Sequence, residues 1–240
     1  FDEKVSKFIK NNDEINKKIK SFEELKKYYE GQKAEILGLD YNYSEEEIDN
    51  KKEELKNKII GFLKENKNIL IIGERRTGKT SFQDVLIKET DKIDNESKIA
   101  ILENKPEIVT RPKNNINFIT NDMFGMNELI IVAMRFNAGK IITDELKTGE
   151  DINTLLRAGI SGHSFITAMR TIDKDRAFFK LDLLLNEVVN NINIRTAMIN
   201  EAVDIIILLN NEHKIQSIIE NEHINDFENR CGKYNETYKS

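Results

Sequence analysis

Residues 69–81 read Ile69-Leu70-Ile71-Ile72-Gly73-Glu74-Arg75-Arg76-Thr77-Gly78-Lys79-Thr80-Ser81. An apolar run is followed here by the complete G-x-x-x-x-G-K-[ST] motif, which is the signature of a P-loop. A P-loop joins a strand to a helix, and its backbone N–H groups surround a chain of phosphates at the positive end of that helix. The stretch therefore predicts a strand, a phosphate-binding loop and a helix within an α/β fold.

Two side chains of the motif have specific predicted roles. Lys79 would bridge the β- and γ-phosphate oxygens, and Thr80 would offer its hydroxyl oxygen to Mg²⁺. The bound nucleotide is predicted to be ATP, and its predicted contacts are Gly73, Glu74, Arg75, Arg76, Thr77, Gly78, Lys79, Thr80 and Ser81. Phosphate-facing loops of this kind more often carry small residues than arginines, so the alternative for Arg75 and Arg76 is that they face solvent.

From Asn68 onward, apolar segments alternate with segments of helical periodicity. This alternation is typical of a mostly parallel sheet flanked by helices, and we assign residues 68–240 to one P-loop ATPase domain. The predicted strands are 69–72, 98–102, 116–119, 140–143, 164–169 and 204–209. The predicted helices are 79–89, 123–136, 150–158, 174–190 and 194–202.

Residues 1–67 are rich in charged residues, with apolar residues at helical spacing, and predict a helical N-terminal arm. Ser44 and Glu47 have the spacing of a capping box, so a helix should begin there and reach about Lys64. The charged outer faces fit an arm that packs on the main domain, while docking of a partner stays open.

A P-loop enzyme needs acidic groups on a neighbouring strand end, and residues 140–145 supply an apolar strand that ends in Asp144 and Glu145. Successive strand residues face opposite ways, so one carboxylate can approach the metal and the other the attacking water. We predict Glu145 as the general base or the residue that orients the attacking water, and Asp144 as a magnesium partner that acts through the water shell of the ion. An Asp-Glu pair at a strand end is also common without any function.

Composition excludes several classes of protein. A formal net charge of -5 over 240 residues gives no electrostatic footprint for nucleic acid, and we expect no direct DNA binding. No run approaches the roughly 18 apolar residues of a transmembrane helix, and the charged start does not resemble a signal peptide. The single cysteine excludes an internal disulfide and, with three dispersed histidines, gives no zinc spacing; the four residues are Cys231, His163, His213 and His223. A reducing, cytoplasmic setting is the simplest expectation.

With these residues located, the sequence resembles the secretion ATPase superfamily, which includes the ATPases of type II and type IV secretion, Flp pilus assembly and conjugation. Residues 102–108 match an acidic segment of that family and align Glu103 with its acidic residue. Residues 134–147 match its Walker B segment, with Glu145 on the catalytic glutamate. Ser161-Gly162-His163 echoes its histidine box, with His163 on the first histidine.

The resemblance implies a RecA-like fold and catalytic roles for Glu103 and His163, the latter as a sensor of the γ-phosphate. Alternatives remain for both, because Glu103 could cap a loop and His163 could be held at a strand start. The chain departs from the family pattern at three positions, namely Gly139 for an aspartate, Lys147 for an arginine and Arg170 for the second histidine of the box. These departures predict a divergent member.

The resemblance further implies an ATP-hydrolysing motor subunit that assembles as a homo-hexamer on an inner-membrane secretion or pilus platform protein. Its expected location is the cytoplasm, peripheral to the inner face of the membrane. We expect Arg111 or Arg135 to complete the site of a neighbouring subunit, so that hydrolysis would need the ring; surface ion pairing is the alternative for both arginines. Two other functions stay open, a nucleotide-gated assembly scaffold with little turnover and an AAA+-type ATPase.

Overall fold

The structure of the chain is a computed structural model that describes residues 45–220. The chain divides between Lys56 and Asn57 into two compact units. Helix α1 (Glu45–Lys64) forms where the capping box predicts a helix that ends near Lys64. The other predictions for residues 1–44 lie outside the described residues, as do those for His223 and Cys231.

The second unit is built on a mostly parallel sheet flanked by helices, which confirms the predicted fold class. Its strands are β1 (Ile69–Gly73), β2 (Ile99–Glu103), β3 (Asn115–Ile119), β4 (Lys140–Glu145), β5 (Ser164–Arg170), β6 (Ile205–Leu209) and β7 (Ile215–Glu220). Its further helices are α2 (Lys79–Ile93), α3 (Met126–Arg135), α4 (Gly149–Ile160), α5 (Lys174–Leu185) and α6 (Ile192–Ala202). The strand order is β3-β2-β4-β5-β1-β6-β7, with only β7 antiparallel to its neighbour.

Burial explains why the central strands form where the apolar runs predict them. Every residue of β1, β2 and β6 is buried, because helices cover both faces of a parallel sheet. Strand β7 was not predicted from the sequence. It lies at the edge of the sheet, most of its residues are half-buried, and Gln216 and Ser217 interrupt its apolar pattern.

Parallel strands bring their carboxyl ends to one edge of the sheet, and we call this the carboxyl edge. It contains Gly73, Glu103, Glu145 and Arg170 at the ends of β1, β2, β4 and β5. Ligands of open α/β sheets bind at this edge, so the topology alone places the P-loop and the predicted carboxylates together. Among residues 45–220, the helices are too short or too polar to cross a membrane.

The opposite edge of the sheet, the amino edge, holds a buried lysine. Lys140 at the start of β4 is 2% exposed, and its Nζ has no hydrogen-bond partner in the described part of the chain. Burial lowers the pKa of Lys140 from 10.5 to about 8. The charged form is therefore disfavoured in the folded protein, and the shift corresponds to a free-energy penalty of about 3 kcal/mol near neutral pH.

Replacing Lys140 by methionine should raise the free energy of unfolding by about 1–3 kcal/mol at pH 7, because it removes the unpaired ammonium and keeps the apolar stem. Between the folded pKa of about 8 and the unfolded value of 10.5, the unfolded wild-type chain binds more protons. Wild-type stability should therefore rise over that interval, and the advantage of Lys140→Met should shrink. Urea unfolding at pH 7 and pH 10 measures both effects, with exposed Lys88→Met as the control. A variant less stable than wild type at pH 7 would contradict this account.

Candidate nucleotide-binding site

The loop after β1 has the close backbone packing that a P-loop requires. A Cβ on Gly73 would lie 2.5 Å from Thr77 Oγ1 and 2.8 Å from the carbonyl oxygen of Leu209, so only glycine fits there. Gly78 caps α2 with a left-handed φ of 83°, a conformation that favours glycine. Thr77 is buried and its hydroxyl donates to the carbonyl oxygen of Glu74 at 3.0 Å, which closes the loop.

The ammonium of Lys79 lies against this loop, and its Nζ donates to the carbonyl oxygens of Gly73 at 2.9 Å and Glu74 at 2.5 Å. Burial lowers the pKa of Lys79, the nearby Glu145 carboxylate raises it, and the cations of Arg170 and Lys180 lower it further. Lys79 therefore interacts electrostatically with the general base predicted on β4. It also interacts with two cations to which the sequence analysis gave no role.

Both arginines of the loop are exposed, which is the alternative that the sequence analysis left open beside nucleotide contact. Arg75 and Arg76 are both exposed, and Arg76 adopts a left-handed φ of 67°. That conformation is uncommon for a residue with a side chain. Arg75, by contrast, lines a cleft beside the loop together with Glu74. Ser81 is exposed on the first turn of α2.

Helix α2 is tied to the end of β4 by a buried side chain. Gln83 is 1% exposed, and its Nε2 donates to the carbonyl oxygen of Thr143 at 2.7 Å. Thr80 lies three residues before Gln83 and so shares its helix face. Thr80 therefore lies on the side of α2 that is bonded to the end of β4, where Asp144 follows Thr143.

The Asp144 carboxylate faces the loop after β2 and is fixed by Asn104. Its two oxygens accept hydrogen bonds from the backbone N and the Nδ2 of Asn104, each at 2.6 Å. Burial raises the pKa of Asp144 to about 6, although the Asn104 hydrogen bonds oppose the shift. Asp144 is thus mostly ionised near pH 7, as a metal partner must be.

A threonine hydroxyl and one carboxylate are a suitable protein contribution to a magnesium site. Mg²⁺ keeps several waters and is usually bound through one or two carboxylates together with the substrate phosphates. Residues 45–220 contain no cluster of three His, Cys, Asp or Glu side chains that could hold a metal ion. That Thr80 and Asp144 contact an ion that arrives with the nucleotide stays a prediction.

Glu103 closes the loop that follows β2. Its side chain is 2% exposed, and its Oε1 accepts hydrogen bonds from the backbone N atoms of Glu107 and Ile108, each at 2.7 Å. This is the loop-capping alternative of the sequence analysis. Glu103 also lies close enough to Asp144 to raise its pKa, so a contribution to the site through Asp144 is compatible with the capping contact.

Glu145 faces away from Asp144, toward β5 and α5. The pairing between β4 and β5 shifts register between Ile142 and Glu145, and such a bulge redirects the side chains that follow it. Glu145 Oε1 accepts hydrogen bonds from the backbone N of Arg170 at 3.2 Å and from Lys180 Nζ at 3.4 Å. The two neighbouring carboxylates therefore diverge as predicted, one toward β2 and one toward β5.

A cleft of about 740 Å³ opens beside the P-loop and Lys180. It is lined by Glu74, Arg75, Arg170, Thr171, Ile172, Arg176, Phe179, Lys180 and Leu183. Four of these side chains are basic and one is acidic, although the whole chain carries a net charge of -5. Positive charge is thus concentrated beside the P-loop.

The structure does not bring His163 or Arg135 to this cleft. His163 precedes β5, whereas the opposite end of that strand, Arg170, pairs with Gly73. At about 3.3 Å per residue, the seven residues of β5 separate His163 from the carboxyl edge by roughly 20 Å. Arg135 is exposed at the end of α3, just before β4 begins at the amino edge. Their catalytic roles remain predictions.

Arg111 lies in the loop between β2 and β3, where its Nη1 donates to the carbonyl oxygens of Ile108 at 2.6 Å and Thr110 at 3.0 Å. Its guanidinium therefore stabilises its own loop.

The sequence analysis assigned no role to His213, yet the turn between β6 and β7 places this side chain beside the P-loop. A Cβ on Gly78 would lie 3.0 Å from His213 Nδ1.

Comparison with known proteins agrees with the resemblance seen in the motifs. No family model matches the sequence. The conjugal transfer protein TrbB of Rhizobium radiobacter is 29% identical over 163 residues, which cover 68% of this chain and 50% of TrbB. The type IV secretion system protein VirB11 of Bartonella quintana (strain Toulouse) is 30% identical over 128 residues, which cover 50% of this chain and 35% of that protein. The chain thus spans half or less of these relatives.

The fold is also found among solved structures. The VirB11 ATPase from the Brucella suis type IV secretion system, crystallised with sulphate, superposes with a TM-score of 0.64. The superposition covers 72% of this chain and 54% of that one at 18% identity. At this identity the likeness concerns the fold, and it confirms the predicted RecA-like arrangement.

Proposed function

We propose that this chain is a member of the secretion ATPase superfamily, as its similarity to TrbB and VirB11 suggests, and that it binds ATP at its P-loop and hydrolyses it with Glu145 as the general base. One observation carries the proposal: Glu145 accepts a hydrogen bond from the backbone N of Arg170, which pairs in register with Gly73 of the loop that holds Lys79. A lysine that holds the β- and γ-phosphates and a carboxylate that activates water are the two groups that hydrolysis requires.

The remaining residues of the site have supporting roles in this proposal. The P-loop backbone and the start of α2 hold the phosphates, and Thr80 and Asp144 hold the Mg²⁺ that accompanies the nucleotide. When bound, the ion neutralises charge on the phosphates. The hydrogen bonds from Arg170 N and Lys180 Nζ hold the Glu145 carboxylate in position.

Glu103 would contribute by holding the loop that carries Asn104 and thereby orienting Asp144. For His163 and Arg135, the amino edge excludes contact with the nucleotide of their own chain. Neighbours in a ring contact one another through two different surfaces, so these two residues could act only on the nucleotide of an adjacent subunit. That arrangement is part of the proposal and depends on assembly.

The wider role that we propose is that of a motor subunit in conjugative transfer or type IV secretion, since the names of its relatives state those processes. In this role six copies would form a ring in the cytoplasm, at the inner face of the membrane, on a platform protein of that membrane. The ring would convert nucleotide-dependent movements of its subunits into work on the transported substrate.

Steady-state phosphate release from Mg-ATP tests the activity. The purified chain should release phosphate at a rate that chelation of Mg²⁺ abolishes, because the phosphates lose their charge neutralisation. Light scattering with and without a non-hydrolysable ATP analogue reports assembly in the same samples. A chain that binds the analogue and assembles without releasing phosphate would be a scaffold, and the proposed activity would be wrong.

A further inference from the structure

We propose that Arg170 binds the γ-phosphate of the ATP held in its own chain and is a catalytic residue of that site. The proposal rests on the proposed ATPase function and adds a group that neither the motif nor the family pattern assigns. It also differs from the expectation that Arg111 or Arg135 of a neighbouring chain completes the site.

The backbone of Arg170 contacts both the strand that leads into the P-loop and the proposed general base. Arg170 ends β5, where it pairs in register with Gly73, the first glycine of the P-loop. Its N–H donates to Glu145 Oε1 at 3.2 Å, and its carbonyl oxygen accepts a hydrogen bond from Lys180 Nζ at 3.3 Å. Arg170 thus lies between the phosphate loop and the general base, on a rigid strand rather than on a loop.

The side chain of Arg170 has its donors available. It is exposed and lines the cleft beside the P-loop. Its guanidinium makes no hydrogen bond with any residue in the described range 45–220. By contrast, the guanidinium of Arg111 is bonded to its own loop and that of Arg195 to Asp182. A free planar fork with five N–H donors is suited to bidentate contact with a phosphate.

The electrostatics of the site call for an anion at this position. Arg75, Arg170, Arg176 and Lys180 line the cleft beside the P-loop, and Glu74 is the one acidic side chain of that lining, so like positive charges repel one another there. The triphosphate of ATP would relieve the repulsion, and its γ-phosphate is the part that extends beyond the lysine of a P-loop toward the general base.

A positive group on the γ-phosphate acts mainly in the transition state, where charge spreads over the phosphoryl oxygens. Replacing Arg170 by glutamine should therefore lower kcat by about 10²- to 10³-fold, the span for loss of one such donor. Arg170→Lys keeps the positive charge but loses the paired N–H donors of the guanidinium, so its kcat should lie between those of wild type and Arg170→Gln. Arg157→Gln, an exposed arginine on α4 near the amino edge, is the matched control and should keep the wild-type rate.

Nucleotide affinity gives a readout that does not depend on turnover. Arg170→Gln should weaken binding of ATPγS and leave the affinity for ADP unchanged, because ADP has no γ-phosphate. Calorimetric titration of both nucleotides measures this difference, and thermal unfolding of the variants checks their folding. Equal weakening for ATPγS and ADP, or for neither, would overturn the assignment of Arg170 to the γ-phosphate.

Mixing inactive subunits tests whether Arg170 acts in its own chain. In an equimolar mixture of Arg170→Gln and Glu145→Gln, every site lacks one of the two groups if both come from the same chain, and activity should stay at the level of the separate variants. Restored activity would mean that Arg170 serves a neighbour's site and would overturn the proposal.

These outcomes separate the inference from the proposed function. A wild-type chain that neither binds nor hydrolyses ATP would contradict the proposed function itself. A wild-type chain that hydrolyses ATP while Arg170→Gln keeps its full rate would contradict only the role of Arg170. A large loss of rate in Arg111→Gln or Arg135→Gln together with full activity in Arg170→Gln would restore the arrangement expected from the sequence.

Discussion

Substitution of Lys79 by alanine is expected to abolish tight ATP binding. The Lys79 ammonium lies at the mouth of the P-loop, 2.9 Å from the carbonyl oxygen of Gly73, where it can reach both the β- and γ-phosphates. Two hydrogen bonds to charged groups contribute about 1.5–3 kcal/mol each, so their loss should weaken binding on the order of 10²- to 10⁴-fold. Calorimetric titration with Mg-ATP measures this change directly.

The control for this experiment is Lys88→Ala, which removes an exposed lysine from the same helix, α2. It should bind ATP with the wild-type dissociation constant. Because Lys79 is only half-buried, its replacement should leave the fold intact, and thermal unfolding can verify that. An unchanged dissociation constant in a folded Lys79→Ala protein would remove the basis for the P-loop assignment.

Substitution of Glu145 by glutamine should keep ATP binding and slow hydrolysis by roughly 10²- to 10⁴-fold, the span for loss of a general base. Glutamine has nearly the same shape, and its carbonyl oxygen can still accept the hydrogen bonds from Arg170 N and Lys180 Nζ. It cannot take a proton from water. The expected loss is therefore in kcat, with the dissociation constant preserved.

Phosphate release under saturating ATP measures the effect, and Glu201→Gln on the exposed side of α6 is the matched control. Equal losses of binding and turnover in Glu145→Gln would show that Glu145 holds the structure rather than the water. A control that loses activity as well would point to a general effect of carboxylate removal.

Much of the fold could be predicted, because short stretches of sequence indicate the same strands, loop and helix that the whole sheet contains. The apolar run before Gly73, the glycines of the loop and the helix after Lys79 each specify their own structure, and the same holds for the apolar strand before Asp144. Strand β7 could not be predicted in this way, because an edge strand in contact with β6 alone needs no continuous apolar run.

That the two carboxylates end a strand could be read from the sequence, because Asp144 and Glu145 directly follow the apolar run of β4. Alternation predicts that they face opposite ways, but the register shift between β4 and β5, which redirects the side chains that follow it, could not be predicted. The roles assigned to both residues remain proposals, but their separation toward Asn104 and toward Arg170 is a property of the fold.

The cations around Glu145 could not have been found from the sequence. Arg170 and Lys180 follow Glu145 by 25 and 35 residues, and only the order of β4, β5 and β1 in the sheet brings them to Lys79. The one signal in the sequence that pointed to either cation was Arg170, which occupies the position of the second histidine in the family's histidine box. For His163 the sequence was misleading in the opposite way. The histidine box extends along β5, so its first histidine, His163, lies at the amino edge and the position of its second, Arg170, at the carboxyl edge.

The central claim, that this P-loop holds ATP and Glu145 cleaves it, is tested most directly by identifying the nucleotide that the protein retains. Wild type and Glu145→Gln are incubated with Mg-ATP, separated from free nucleotide by rapid gel filtration, denatured and analysed by chromatography. We expect ADP on the wild-type chain and intact ATP on Glu145→Gln. Recovery of ADP from Glu145→Gln at the wild-type rate, or of no nucleotide from either protein, would contradict the account.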